Sequence, residues 1–266
     1  MHDLKINYCL ILKNYKKMAR QKGIIKLKGT IGDISFYKTQ DGHLAREKGG
    51  VDASRIANDP AFIRTRENGA EFGASAGSGK LLRDAFRNLM MSASDGRVTS
   101  RLTKVMSDVK NADLTSARGN RTVGVGILTP DGKALLKGFN FNKLAILGGV
   151  LFKPYAVAPA TGEITIANLV PVNNIAAPAG ATHFSLTSAF ANVDFVGGLY
   201  DVQLSNVVNL PIDGTSTNVV LTPVAVPAGA GVNFYLLMIE FFQEINGIQY
   251  SLKNGAYNAL SIVDVQ

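Results

Sequence analysis

The chain of 266 residues predicts an α+β protein: a basic N-terminal hairpin plus helices, followed by an antiparallel β-sandwich with immunoglobulin-like or jelly-roll-like connections. Three observations support this. Charge divides the chain, because residues 1–122 hold 23 Lys and Arg against 12 Asp and Glu, whereas residues 123–266 hold 5 against 8. Apolar residues recur at helical spacing between residues 60 and 109. Beyond residue 122, Val, Ile, Thr, Asn, Gly and Pro dominate, and short apolar runs alternate with turn dipeptides, the texture of an all-β domain. The expected organisation is a start-site extension or disordered tail over 1–17, a basic hairpin and helical region over 18–121, and the β-sandwich over 122–266.

Residues 1–17 resemble a signal peptide only superficially. The apolar run Tyr8, Cys9, Leu10, Ile11, Leu12 is broken by Lys13 and Asn14, and no small-residue cleavage site follows. Translation is therefore expected to begin at Met18. With Cys9 as the only cysteine, the chain can form no disulfide within itself and no metal site built on several thiolates. No apolar run reaches the roughly 18 residues that span a bilayer, and a cytoplasmic location is expected.

Residues 23–50 form the hairpin: Ile31, Ile34, Phe36 and Tyr37 supply one strand, Asp41-Gly42 the turn, and residues 44–48 the return. Two strands alone are marginal in water, so this unit must lean on something. Asn58 or Asp59 caps a helix that has Pro60 at its first position. The small residues 73–79 predict a break, a flexible joint between helices. Leu81, Leu82, Ala85, Phe86, Leu89 and Met90 mark a second helix. Ser94 or Asp95 caps a third, whose stripe is Val98, Leu102, Val105, Met106 and Val109. Strands are expected near 122–128, 134–140, 145–154, 162–169, 182–195, 200–208, 216–224, 231–244, 248–252 and 258–265. Asp131-Gly132, Asp213-Gly214, Asn246-Gly247 and Asn254-Gly255 supply turns. Residues 232–242, apolar on both faces, suit a central strand. Phe184 and Leu186, alternating with Ser185 and Thr187, predict a strand with one wet face.

No motif carries catalytic chemistry. Gly73-Ala74-Ser75-Ala76-Gly77-Ser78-Gly79-Lys80-Leu81 resembles a phosphate-binding loop. Ala74 stands where the first glycine belongs, however, and Leu81 where a magnesium-binding hydroxyl belongs. His2, His43 and His183 are too scattered for metal or acid–base spacing. No serine sits in a nucleophile elbow. Glu240 and Glu244 share one face of a strand and line a solvent or interface side. Tryptophan is absent, which weakens a carbohydrate-binding reading. The expectation is a non-enzyme with no catalytic residue, no cofactor and no metal.

Three blocks carry a resemblance: Lys28-Gly29-Thr30-Ile31-Gly32-Asp33-Ile34-Ser35-Phe36-Tyr37-Lys38; Arg46-Glu47-Lys48-Gly49-Gly50; and Asn58-Asp59-Pro60 with Arg64-Thr65-Arg66-Glu67-Asn68 and Glu71-Phe72-Gly73. They resemble the opening of a family of uncharacterised bacterial proteins of similar size, with a glycine-containing hairpin and an arginine-rich helix. The resemblance implies no activity. Function is then expected to be structural or assembly work through a protein partner or self-association. The alternative is association with nucleic acid through Arg55, Arg64, Arg66, Lys80, Arg83, Arg87, Arg97, Arg101 and Lys104, whose attraction would be electrostatic. Phe86 alone is interleaved among the basic residues between 80 and 121, so a platform for stacking single-stranded bases is missing.

Overall fold

The computed structural model describes residues 19–47, 49–252 and 256–266. The expected tail with His2 and Cys9, the Met18 start and the Asn254-Gly255 turn lie outside the described residues. The chain forms two compact units divided between Phe62 and Ile63, and the change of texture near residue 122 falls inside the second.

In the first unit, strands β1 (Ala19–Arg20), β2 (Gly29–Ile31), β3 (Ile34–Thr39) and β4 (Gly42–Glu47) form an antiparallel sheet in the order β1-β4-β3-β2. The expected hairpin is β3–β4, with Thr39 Oγ1 accepting from the Asp41 amide at 3.2 Å to close the turn. Two further strands flank it. Helix α1 (Ala53–Asn58) is capped by Asp52, whose carboxylate accepts from the Ser54 amide at 2.8 Å. Asp59 then caps the 3-10 turn Pro60–Phe62 by accepting from the Ala61 amide at 2.9 Å.

The second unit opens with α2 (Ile63–Ala85), followed by α3 (Arg87–Ser92) and α4 (Val98–Asn111). Residues 73–79 do not break α2, which runs through them for 23 residues. Glycine is a poor helix former, but tertiary packing overrides propensity here. Gly79 lies against Leu102 and Met106 of α4, and the Ser75 and Ser78 hydroxyls donate back to the carbonyls of Glu71 and Ala74. The third helix starts later than expected: neither Ser94 nor Asp95 is its cap, Arg97 holds that position without a side-chain cap, and Asp95 Oδ1 instead accepts from the Arg97 amide in the preceding turn, while the stripe of Val98, Leu102, Met106 and Val109 is buried.

The first three expected strands, 122–128, 134–140 and 145–154, are instead short helices: α5 (Val123–Gly126), α6 (Pro130–Leu136) and α7 (Leu147–Val150). In the first two, local capping outweighs β propensity. Thr122 Oγ1 accepts from the Val125 amide, and Thr129 Oγ1 from the Gly132 amide with Pro130 in the first turn. Asp131-Gly132 is accordingly helical and makes no hairpin turn. Gly126 and Gly132 serve close backbone approach, since a Cβ at Gly126 would sit 2.1 Å from the Val109 carbonyl oxygen and one at Gly132 2.0 Å from that of Gly126.

The remaining expected strands are present: β6 (Ile164–Leu169), β7 (His183–Asp194), β8 (Leu199–Leu204), β10 (Thr217–Leu221), β11 (Val232–Ile245), β12 (Ile248–Ser251) and β13 (Ala259–Val265). Strands β5 (Ala156–Val157) and β9 (Val208–Pro211) and helix α8 (Pro171–Asn174) are additional. Long strands β7 and β11 pair antiparallel over residues 183–193 and 232–242. Short strands flank them, with β12 and β13 on β11 and β8 and β9 on β7, to make a curled six-stranded antiparallel sheet. A second antiparallel sheet runs β10-β6-β5. The β11–β12 turn places both Asn246 (φ 52°) and Gly247 (φ 76°) at positive φ, as a two-residue hairpin loop requires.

Side-chain alternation sorts β11 between two apolar clusters. Phe234, Leu236 and Met238 pack with Leu82, Phe86, Leu102, Met106 and Phe141 from the helical layer. Tyr235, Leu237, Ile239 and Phe241 pack with Ile164, Ile166, Val219 and Leu221 from the three-stranded sheet. Each such side chain contributes about 1.5–3 kcal/mol. Strand β11 is thus buried on both faces, as its composition predicts. Strand β7 has no wet face: Ser185 and Thr187 are buried, because the helical layer covers the side that alternation assigns to water. A bulge at Val263 shifts the β13 register and returns Val265 to the helical side.

Candidate interaction surface

The nine basic residues singled out from the sequence meet different fates. Arg55 belongs to the first unit, where it pairs with Asp59 at 3.0 Å and stacks 5.6 Å over the Phe62 ring. Arg64 pairs with Glu67 at 2.9 Å, while Arg66 and Arg83 are half-buried on α2. Arg101 is an internal clamp, donating to the carbonyls of Asn140 (2.7 Å) and Phe141 (2.9 Å), pairing with Asp95 and lying 5.2 Å over Phe139. Lys80, Arg87, Arg97 and Lys104 remain exposed.

Other basic residues converge on a buried carboxylate. Glu71, on α2, accepts from Lys110 Nζ at 2.6 Å, from Arg121 Nε and Nη2 at 2.8 Å each, and from the Gly119 amide at 2.8 Å. Hydrogen bonds from Arg121 and then Lys110 hold its pKa well below the usual carboxylate range, against the opposing effect of burial. Every acceptor direction is filled, so the cluster ties α2, the end of α4 and the 119–121 segment together and leaves no group to attack a substrate. Asp113 behaves similarly. Burial pushes its pKa up, but hydrogen bonds from Ser116, Thr122 and Thr115 outweigh this and lower it. The Asp113 loop carries a local signal, an acid followed by Thr115 and Ser116 whose amides it caps. The Glu71 cluster carries none, because its partners lie 39 to 50 residues away.

The phosphate-loop look-alike is neither such a loop nor a flexible joint, since its amides are spent inside α2. Its face of Ala74, Gly77, Ser78 and Leu81 lines a cavity of about 660 Å³ with Thr122, Val123 and Val125 and the Phe195–Val196 loop. Ser78 is already bonded to the Ala74 carbonyl. His183 lies 3.5 Å from Glu244 and 3.0 Å from Thr182 Oγ1 at the sheet surface, Glu240 is half-buried, and His43 sits in β4. Among the described residues no group of three or more His, Cys, Asp and Glu could hold a metal ion. No helix there is long and apolar enough to cross a membrane.

The four-stranded sheet of the first unit carries exposed apolar side chains. None of its described residues is buried: Ile31 is 63% exposed and Ile34 46%, and Ile24, between β1 and β2, is fully exposed. Cross-strand pairing sets one face. Ala19 opposes Ala45, Ala45 opposes Phe36, Phe36 opposes Gly29, and Ile31 opposes Ile34, so these side chains form a continuous apolar strip across all four strands. The other face carries Thr30, Ser35, Tyr37, Leu44 and Arg46, with the Arg46 guanidinium 5.5 Å over the Tyr37 ring. No protein-family model, no curated protein and no solved structure matches the chain.

Proposed function

We propose that the chain is a non-catalytic structural or assembly protein that acts through protein–protein contacts. One observation carries the reading: a four-stranded sheet in which no described side chain is buried lacks the hydrophobic core that makes a small sheet stable. Such a sheet gains that core by association. The second unit supplies a scaffold, an antiparallel β-sandwich of immunoglobulin-like or jelly-roll-like kind in this reading. Support for the sandwich comes from the cluster that the six-stranded and three-stranded sheets share. Gel filtration with light scattering tests the assembly role. The expected result is a mass that rises with concentration or on adding a partner, and a strict monomer with no partner in a pull-down overturns it.

A second reading, association with nucleic acid, is supported by the exposure of Lys80, Arg87, Arg97 and Lys104. Phosphate contacts predict binding that weakens steeply with salt. A low-salt mobility-shift titration without a shift, or with a shift that ignores salt, removes this reading.

A further inference from the structure

We infer that the uncovered face of the first unit's sheet is a contact between two copies of this chain, related by a twofold axis that sets their strands antiparallel. The inference rests on the assembly reading and names its partner and orientation. Along the strands the apolar strip has charged ends of opposite sign. Lys38, opposite His43, marks the positive end, while Glu47, opposite Ile34, marks the other. Four residues of strand separate Lys38 from Ile34, roughly 13 Å, too far for Lys38 and Glu47 of one copy to pair.

Stacking two such faces with strands antiparallel brings the Lys38 end of each copy over the Glu47 end of the other, with Lys38 one strand spacing from the Glu47 of the second copy, two equivalent contacts as twofold symmetry demands. Stacking them parallel opposes like charges, which is penalised. Apolar strip then meets apolar strip. A cavity of about 360 Å³ lined by Ala19, Asp33, Ile34, Ala45, Arg46 and Glu47 offers room for a side chain from the second copy.

Size sets the strength. Strand spacing and rise give the strand residues of this four-stranded face about 280 Å² per copy, a third of the roughly 800 Å² per partner of a standard interface. A weak, concentration-dependent dimer follows, whose orientation is chosen by charge.

The test measures the mass of the full chain from micromolar to millimolar concentration by light scattering, with Lys38→Glu, Glu47→Lys and the double variant alongside. Wild type is expected to dimerise progressively. Each single reversal should weaken the dimer about tenfold or more. The double variant, and an equimolar mixture of the two single variants, should regain wild-type dimerisation, which proteins damaged in folding would not do. Dimerisation indifferent to either reversal, or a mixture that stays monomeric, overturns the inference and leaves the assembly reading standing. A chain that is monomeric throughout but binds a different protein does the same, whereas a monomer with no partner overturns both.

Discussion

Replacing Glu71 by Gln preserves its volume but leaves the buried Lys110 and the partly exposed Arg121 facing a neutral amide. Breaking one partner of a buried ionic cluster is expected to destabilise the second unit by about 3–5 kcal/mol, read as a lower urea midpoint. The pH dependence follows from the same geometry. The folded-state pKa values of Glu71 and Asp113 lie below their unfolded values. The stability they contribute is therefore complete above the unfolded carboxylate range, near 4, and is lost as pH falls through and beneath it. Urea titrations of wild type and Glu71→Gln between about pH 7 and about pH 3 should converge on the acid side. Curves that stay parallel throughout would show that Glu71 titrates alike in both states.

At the level of the element, α2 is the departure from simple propensity. A flexible joint would tolerate Gly73→Ala without gain. In a continuous helix, a Cβ at Gly73 meets nothing within 4 Å, and the change should stabilise by roughly 0.5–1 kcal/mol. Thermal unfolding decides between the two, and an unchanged or lower Tm counts against the continuous helix. The same reasoning explains why small residues mislead here. Glycine and serine signal a break when nothing packs on them, but Gly79 and Ser75 are buried against neighbouring structure. The expected strands before residue 155 failed for a related reason, because Thr122 and Thr129 are helix caps whose one- or two-turn helices are too short to show a periodicity.

For the whole molecule, the helices and the six-stranded sheet share one apolar cluster, so residues 63–266 are expected to form a cooperative unit by themselves. Expressed alone, residues 63–266 should unfold in a single transition close to that of the full chain. A non-cooperative or unfolded product would show that the first 62 residues complete its core. The charge contrast between the halves of the sequence does not mark this division. Arg101, Lys110 and Arg121 are drawn inward to Asp95 and Glu71, where they hold the fold and leave a smaller exposed basic set.

From composition and alternation alone came the β3–β4 hairpin, the α4 stripe and seven strands of the second unit, because each depends on residues adjacent along the chain. Asn246-Gly247 needs only its own φ preferences, and β11 needs only its own apolar run. What required the tertiary structure is everything set by distant partners: the unbroken α2, the covered face of β7, the Glu71 cluster and the exposure of the N-terminal sheet. Burial and ion pairing join residues tens of positions apart, and no local pattern encodes which of them meet.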